Sequence, residues 1–234
     1  MTLHKRHFVF AGFAAVISLA IGATFALAPP STGIVWRDVL PEPPISGGAI
    51  DRADQADVMR LQRLVNTPRW QQAKRDVSYD IFVAFSSVLG ADFTASQRPQ
   101  VAALLDYSGR YVHRASNEAK AIHPRPRPYR TLANLQVCQS PSPINSSYPS
   151  GHAAWGVVAA RILAQLYPSQ TKQILARGLD YGQSRVVCAV HYPSDVSAGQ
   201  MMADAMLAQL ENDDAYLRLL AAAKRAVRVA SPTQ

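Results

Sequence analysis

The sequence predicts an all-α protein built as one helical domain. Three observations carry this. Apolar residues recur at helical spacing through most of the chain, helix caps and prolines punctuate those stretches, and clear period-two alternation is scarce. The length of 234 residues suits one such domain, and a hydrophobic fraction of 48% against 17% charged residues permits a sizeable core.

The first element is a leader. Basic His4-Lys5-Arg6-His7 precedes residues 8–28, which carry no charge, and Ala26-Leu27-Ala28 fits a small-x-small cleavage site. The run also has the length to span a bilayer if it is not cut. Residues 1–28 are therefore expected to be a signal peptide or an N-terminal anchor. Either places the rest of the chain in the periplasm or outside the cell, with membrane association only if the segment is retained. Residues 29–50, rich in Pro, Gly and Ser, read as an extended arm.

The helical domain is expected over 51–230. Val58, Leu61 and Val65 share one face of the first helix. Thr67-Pro68 is a cap followed by proline at the first helical position, opening a helix through Trp70 to Leu89. Ser96 is expected to cap the next, which runs to about Ile122. Prolines at 124, 126 and 128 forbid a helix there, so 124–149 read as an irregular loop. Helices return at about 151–166, 170–182, 194–210 and 213–229, with Ser169 and Asn212 as caps. Trp70, Trp155 and the Met201, Met202, Met206 group are expected in the core. Arg218, Lys224, Arg225 and Arg228 are expected on a solvated face, and His113 and His123 at surface or packing positions.

Cys138 and Cys188 are the two cysteines. In an oxidising compartment such a pair reads as a disulfide, which would close a loop of about 50 residues and contribute ~4 kcal/mol on the chain-entropy account. Two buried free thiols are the alternative.

Three short stretches carry chemistry. Lys120 and Arg127 bracket a proline-rich segment whose stiff backbone can aim a point charge and a bidentate fork at one anion. Ser147-Tyr148-Pro149-Ser150-Gly151-His152 leads into an apolar run. Helix-start amides there can bind an anion, Ser150 can add a hydroxyl, Gly151 lets the backbone approach, and His152 is placed to hand a proton to a leaving group. Finally, Arg185 is followed by His191 and Asp195, where a carboxylate on one imidazole nitrogen leaves the other free to attack. Each stretch also has a plain structural reading: a solvated basic loop, an ordinary Ser cap, and a surface His beside a capping Asp.

Taken in order, Lys120-x6-Arg127-Pro128, Pro149-Ser150-Gly151-His152 and Ser184-Arg185-x5-His191-x3-Asp195 resemble the signature of the type 2 phosphatidic acid phosphatase superfamily. More closely, residues 50–229 resemble the bacterial class A nonspecific acid phosphatases. The resemblance implies a helical bundle of the kind shared with vanadium haloperoxidases. It implies a metal-independent phosphomonoesterase of broad range, with no cofactor and a phosphohistidine intermediate. His191 would be the nucleophile, Asp195 its support and His152 the proton donor. Lys120, Arg127, Ser150, Gly151 and Arg185 would hold the phosphoryl oxygens. Small phosphomonoesters would be the substrates, and a homodimer is a further expectation. Activity in mild acid follows if His152 is protonated while His191 is neutral. Ser146 and Ala153 depart from the usual Gly and Thr, and Tyr192-Pro193 from the usual Trp-Gln, beside the site.

Two alternatives stay open. One is a vanadium-dependent haloperoxidase, which would use the same anion cradle. The other is a basic anion-binding surface protein without catalysis, permitted by the net charge of +8. No aromatic-basic stripe supports a nucleic-acid partner, and only residues 8–28 could span a membrane, which argues against a multi-span lipid phosphatase.

Overall fold

The computed structural model describes residues 32–139 and 146–230. The expected leader at 1–28 lies outside them. Among the described residues there are helices and turns but no strand: α1 (Trp36–Val39), α2 (Ala49–Leu61), α3 (Pro68–Arg75), α4 (Ile81–Leu89), α5 (Pro99–Ile122), α6 (Pro128–Thr131), α7 (Gly151–Leu166), α8 (Thr171–Val187), α9 (Pro193–Leu210) and α10 (Asp214–Ala230). None of these helices is long and apolar enough to cross a membrane.

Helix α7 is the centre of the bundle. It reads Gly-His-Ala-Ala-Trp-Gly-Val-Val-Ala-Ala, apolar on every side, and a helix of that kind must be surrounded. Helices α5, α8 and α9 surround it. Close approach depends on small residues. A Cβ on Gly178 would lie 2.5 Å from the Gly156 carbonyl oxygen, and one on Gly199 would lie 2.2 Å from that of Ser150. The second contact matters most here, because it lets the start of α9 sit directly against the start of α7. Helix α10 lays Tyr216, Leu220, Ala223 and Val227 onto the bundle beside α5, and Tyr107 of α5 donates to Asp213 at 2.9 Å.

The expected continuous helix over 68–89 is instead two helices. Thr67 caps the first as expected, accepting from the Trp70 amide. The break at 76–80 has a physical cause. Asp80 takes the amides of Phe82 and Val83 and so starts a new helix. The three carbonyls exposed by the break are taken by side chains of the bundle. His152 Nε2 meets Val77 O at 3.0 Å, the Tyr181 hydroxyl donates to Ser78 O at 2.5 Å, and Trp155 Nε1 donates to Tyr79 O at 3.2 Å.

Smaller differences follow the same logic of caps. Ser96 does not start α5, which has Pro99 at its first position after Arg98. Asp213, not Asn212, accepts the Tyr216 amide at the start of α10. Met201 is exposed while Met202 and Met206 are buried. Within the segment expected as an extended arm, the described part, 32–50, is packed down: Trp36 and Leu40 are buried in the main core, and the Tyr148 hydroxyl donates to Pro41 O at 2.8 Å.

Candidate active site

The start of α7, the end of α8 with His191 just beyond it, and the proline-rich loop after α5 meet at one cavity of about 1180 Å³, bordered also by α4 and the face of α5. Of the sequence-expected site residues, Lys120, Arg127, Gly151, His152, Arg185 and His191 line it. The two imidazoles are close enough that the charge of His191 would disfavour protonation of His152.

His191 stands after α8, 3% exposed. Arg127 Nη1 lies 3.2 Å from its Nε2. A guanidinium can only donate, so Nε2 is the unprotonated nitrogen and Nδ1 carries the hydrogen. Nδ1 is 3.4 Å from both Asp195 Oδ2 and Ser147 Oγ. Asp195 is fully buried and heavily engaged: Oδ2 accepts from the Tyr192 amide at 2.8 Å and from Ser147 Oγ at 2.5 Å, and Oδ1 from Arg125 at 2.7 Å.

His152 is fixed the other way round. Its Nε2 faces the Val77 carbonyl, which can only accept, so Nε2 carries the hydrogen and Nδ1 is left without a partner among the described residues. Tyr79 and Tyr181 hold its ring, at centroid distances of 3.9 and 5.5 Å.

Arg185 is 2% exposed. Its Nη2 donates to Gln139 Oε1 at 2.6 Å, whereas Nε and Nη1 are buried with no hydrogen-bond partner among the described residues. Buried guanidinium donors rarely stay unpaired, so an anion in the cavity fits them. Burial lowers the Arg185 pKa to about 10, which still leaves the group charged at neutral pH. Ser150 caps α7, its hydroxyl accepting the Ala153 amide at 3.3 Å, and its own amide donates to Asp195 O.

Lys120 differs from the expectation of a direct anion ligand. Its ammonium donates to the carbonyls of Ser146, Ser147 and Pro149 at 3.1, 3.2 and 2.5 Å. Those are its three donors, so in this arrangement it fastens the loop before α7 and contributes charge at a distance. Burial, and then Arg127, lower its pKa to about 7.

Both histidines have pKa values well below the ordinary range. Burial is the main cause for each, followed by Arg185 for His152 and by Arg127, Lys120 and Arg185 for His191. These directions disfavour a resident proton on His152 when no anion is bound. It has to arrive with an anion that offsets the cations. This has a consequence for stability. Unfolded histidines bind protons below about pH 6.5, while these two do not, so the empty protein loses stability as pH falls below that value. Thermal denaturation from neutral to mildly acidic pH should show this loss, and inorganic phosphate should reduce it. A melting temperature equally pH-independent with and without phosphate would contradict the assignment.

Cys138 and Cys188 form a disulfide with 4.9 Å between Cα atoms. It places Gln139 against Arg185. Sequence reasoning missed Gln139, Ser147, Tyr79 and above all Arg125. That guanidinium is 5% exposed and bonds Asp51 and Asp54 at 2.9 Å each, besides Asp195 and Ser194. A signal existed. In an extended Pro-Arg-Pro-Arg-Pro segment, side chains two apart need separate partners, and only Arg127 had been given one.

Residues 81–210 match the PAP2 superfamily. The chain belongs to that superfamily. It is 32% identical over 203 residues to the "Non-specific acid phosphatase" of Salmonella typhimurium, covering 82% of this chain and 80% of that one. It is 33% identical over 194 residues to the protein of the same name from Providencia stuartii, with 80% and 78% covered. The "Acid phosphatase" of Zymomonas mobilis is 30% identical over 193 residues, with 80% and 73% covered. Within the superfamily the chain groups with the nonspecific acid phosphatases.

Proposed function

We propose that the protein is an exported acid phosphatase that hydrolyses a broad range of small phosphomonoesters through a phosphohistidine on His191, without a metal. The observation that carries this is the buried Nε and Nη1 of Arg185, without a hydrogen-bond partner among the described residues, at a cavity flanked by two imidazoles with opposite tautomers. Opposite tautomers give the two rings different tasks.

A phosphoryl group entering the cavity is held by Arg185, by Arg127 turning from His191 Nε2, and by the first amides of α7. A monoanionic ester brings a proton, which passes to His152 Nδ1. His191 Nε2 attacks phosphorus, the P–O bond to the alcohol breaks, and His152 Nδ1–H protonates the departing oxygen. Water then attacks the phosphohistidine, giving its proton to His152 Nδ1. The P–N bond breaks, His152 returns that proton to the product, and phosphate monoanion leaves with both imidazoles neutral. Asp195 and Ser147 hold the Nδ1–H of His191 throughout. Fixed guanidiniums supply the charge neutralisation that the transition state needs.

If the proton enters with the substrate, the falling alkaline limb of kcat/KM follows the second ionisation of the ester, near pH 6 for an alkyl phosphate. Lys120, with its pKa of about 7, loses its charge in the same region. A panel of monoesters with different phosphate pKa values, assayed with and without EDTA, tests this. The limb should move with the ester, and EDTA should change nothing. Complete loss with EDTA, restored by metal, would overturn the metal-independent reading, and a limb fixed for all esters would overturn the proton route. Bromide oxidation on adding vanadate and peroxide would favour the haloperoxidase alternative.

A further inference from the structure

We propose that Asp76, clamped by Arg177, is a positioning residue for the proton donor: it sets the Val77 carbonyl that holds His152 Nε2–H and thereby turns Nδ1 to the leaving group. The inference rests on His152 being that donor.

Asp76 closes α3 and is 2% exposed. One of its carboxylate oxygens accepts from Arg177 Nη2, the other from Ser184 Oγ at 2.5 Å. Arg177, itself 9% exposed, also donates from Nε to Ala84 O at 2.8 Å and from Nη1 to Asp180 at 3.3 Å. Asp180 in turn accepts from Gln72 at 2.6 Å and Arg69 at 3.0 Å. The network spans α3, α4 and α8, and its centre is the residue immediately before Val77.

The break at 76–80 needs such a clamp. Its backbone makes no regular helix, and the Val77 carbonyl must point at one nitrogen of one imidazole. If that carbonyl swings away, the Nε2–H tautomer of His152 loses the partner that fixes it. The ring can then place its hydrogen on either nitrogen and rotate between Tyr79 and Tyr181. His191 has its own supports, Asp195 and Ser147, on the far side of the cavity. Each imidazole thus has a separate buried anchor, and loosening one should leave the chemistry of the other intact.

That separation gives a readout which general damage would not produce. A donor is needed when the leaving group is an alkoxide and hardly needed when it is a stabilised phenolate. With Asp76→Asn, kcat/KM on an alkyl phosphate should fall by about 10- to 100-fold, since a small misplacement of a reacting group costs on that order. With 2,4-dinitrophenyl phosphate kcat/KM should change by only about 2-fold, because kcat/KM covers the steps up to the phosphohistidine and leaves out its hydrolysis, in which His152 serves as base for every ester. Arg177→Lys, which keeps the charge but removes the fork, should give the same pattern more weakly and serves if Asp76→Asn does not fold. A parallel fall on both esters, or no fall on either, would overturn the proposal. His152→Ala separates the two layers of the argument. If it lowers kcat/KM on both esters equally, the donor assignment fails, and if it discriminates while Asp76→Asn does not, only the positioning role fails.

Discussion

Replacement of His191 by Ala is expected to lower kcat on every phosphomonoester by about 10³-fold or more, while inorganic phosphate still binds. The size follows from its role. Loss of a nucleophile removes the covalent path and leaves only the positioning and charge terms of the pocket. Nε2 of His191 is the atom that Arg127 addresses, and its hydrogen is committed to the Asp195 side. Alanine removes that atom without disturbing Arg185 or the start of α7. Steady-state kinetics beside phosphate binding by calorimetry would show the split. A His191→Ala protein with near-parent turnover would refute the nucleophile assignment, and equal loss of binding would mean that the residue serves the cradle instead. The split also separates an enzyme from a basic anion-binding protein, in which no activity existed to lose.

Replacement of Arg125 by Leu is expected to be the most destabilising single change at the site, by about 3–5 kcal/mol, because it strands several buried carboxylates at once. Asp51, Asp54 and Asp195 are 6%, 4% and 0% exposed, and Arg125 bonds all three. The guanidinium also lies 4.1 Å from the Tyr192 ring centroid. Burial alone would raise the Asp51 pKa; the Gly47 amide and Arg125 outweigh it and hold that carboxyl below its usual range. For a domain of this size the change should lower the melting temperature by roughly 10 °C. The exposed pair Arg60–Asp57 is the control: breaking it should cost within about 1 kcal/mol. A melting point for Arg125→Leu close to that of the parent would mean the carboxylates find water or protons at little cost, and the cluster would then not be what holds Asp195 in place.

The helices were legible because their signals are local. Thr67-Pro68, the apolar run of α7 and the amphipathic faces of α5 and α10 need only a few neighbouring residues to be read. The break at 76–80 was not legible, since the apolar spacing runs straight through Val77 and Ile81. What divides the helix is the set of donors waiting on His152, Trp155 and Tyr181, which are distant in sequence. The site shows the same division. His152, Arg185 and His191 were legible through short stretches whose order resembles a family signature, and the chain does bring them to one cavity. Lys120 was expected as a ligand from its place before the proline-rich segment and from the family resemblance; that its donors go to three backbone carbonyls could not be read, because only the folded loop presents them. Arg125 and Asp76 were missed for a related reason. Each acts through partners on other helices, and a lone Arg among prolines or a lone Asp at a helix end does not reveal a buried network.

The account turns on which atom receives the phosphoryl group. Enzyme mixed with labelled monoester, quenched within milliseconds under alkaline conditions and mapped by mass spectrometry, measures this directly. The prediction is one acid-labile phosphate per active chain, on Nε2 of His191, absent from His191→Ala and, with labelled 2,4-dinitrophenyl phosphate, whose leaving group hardly needs a donor, accumulating in His152→Ala where hydrolysis lacks its base. Label on His152 or on a serine, or none at any time during turnover, would contradict it.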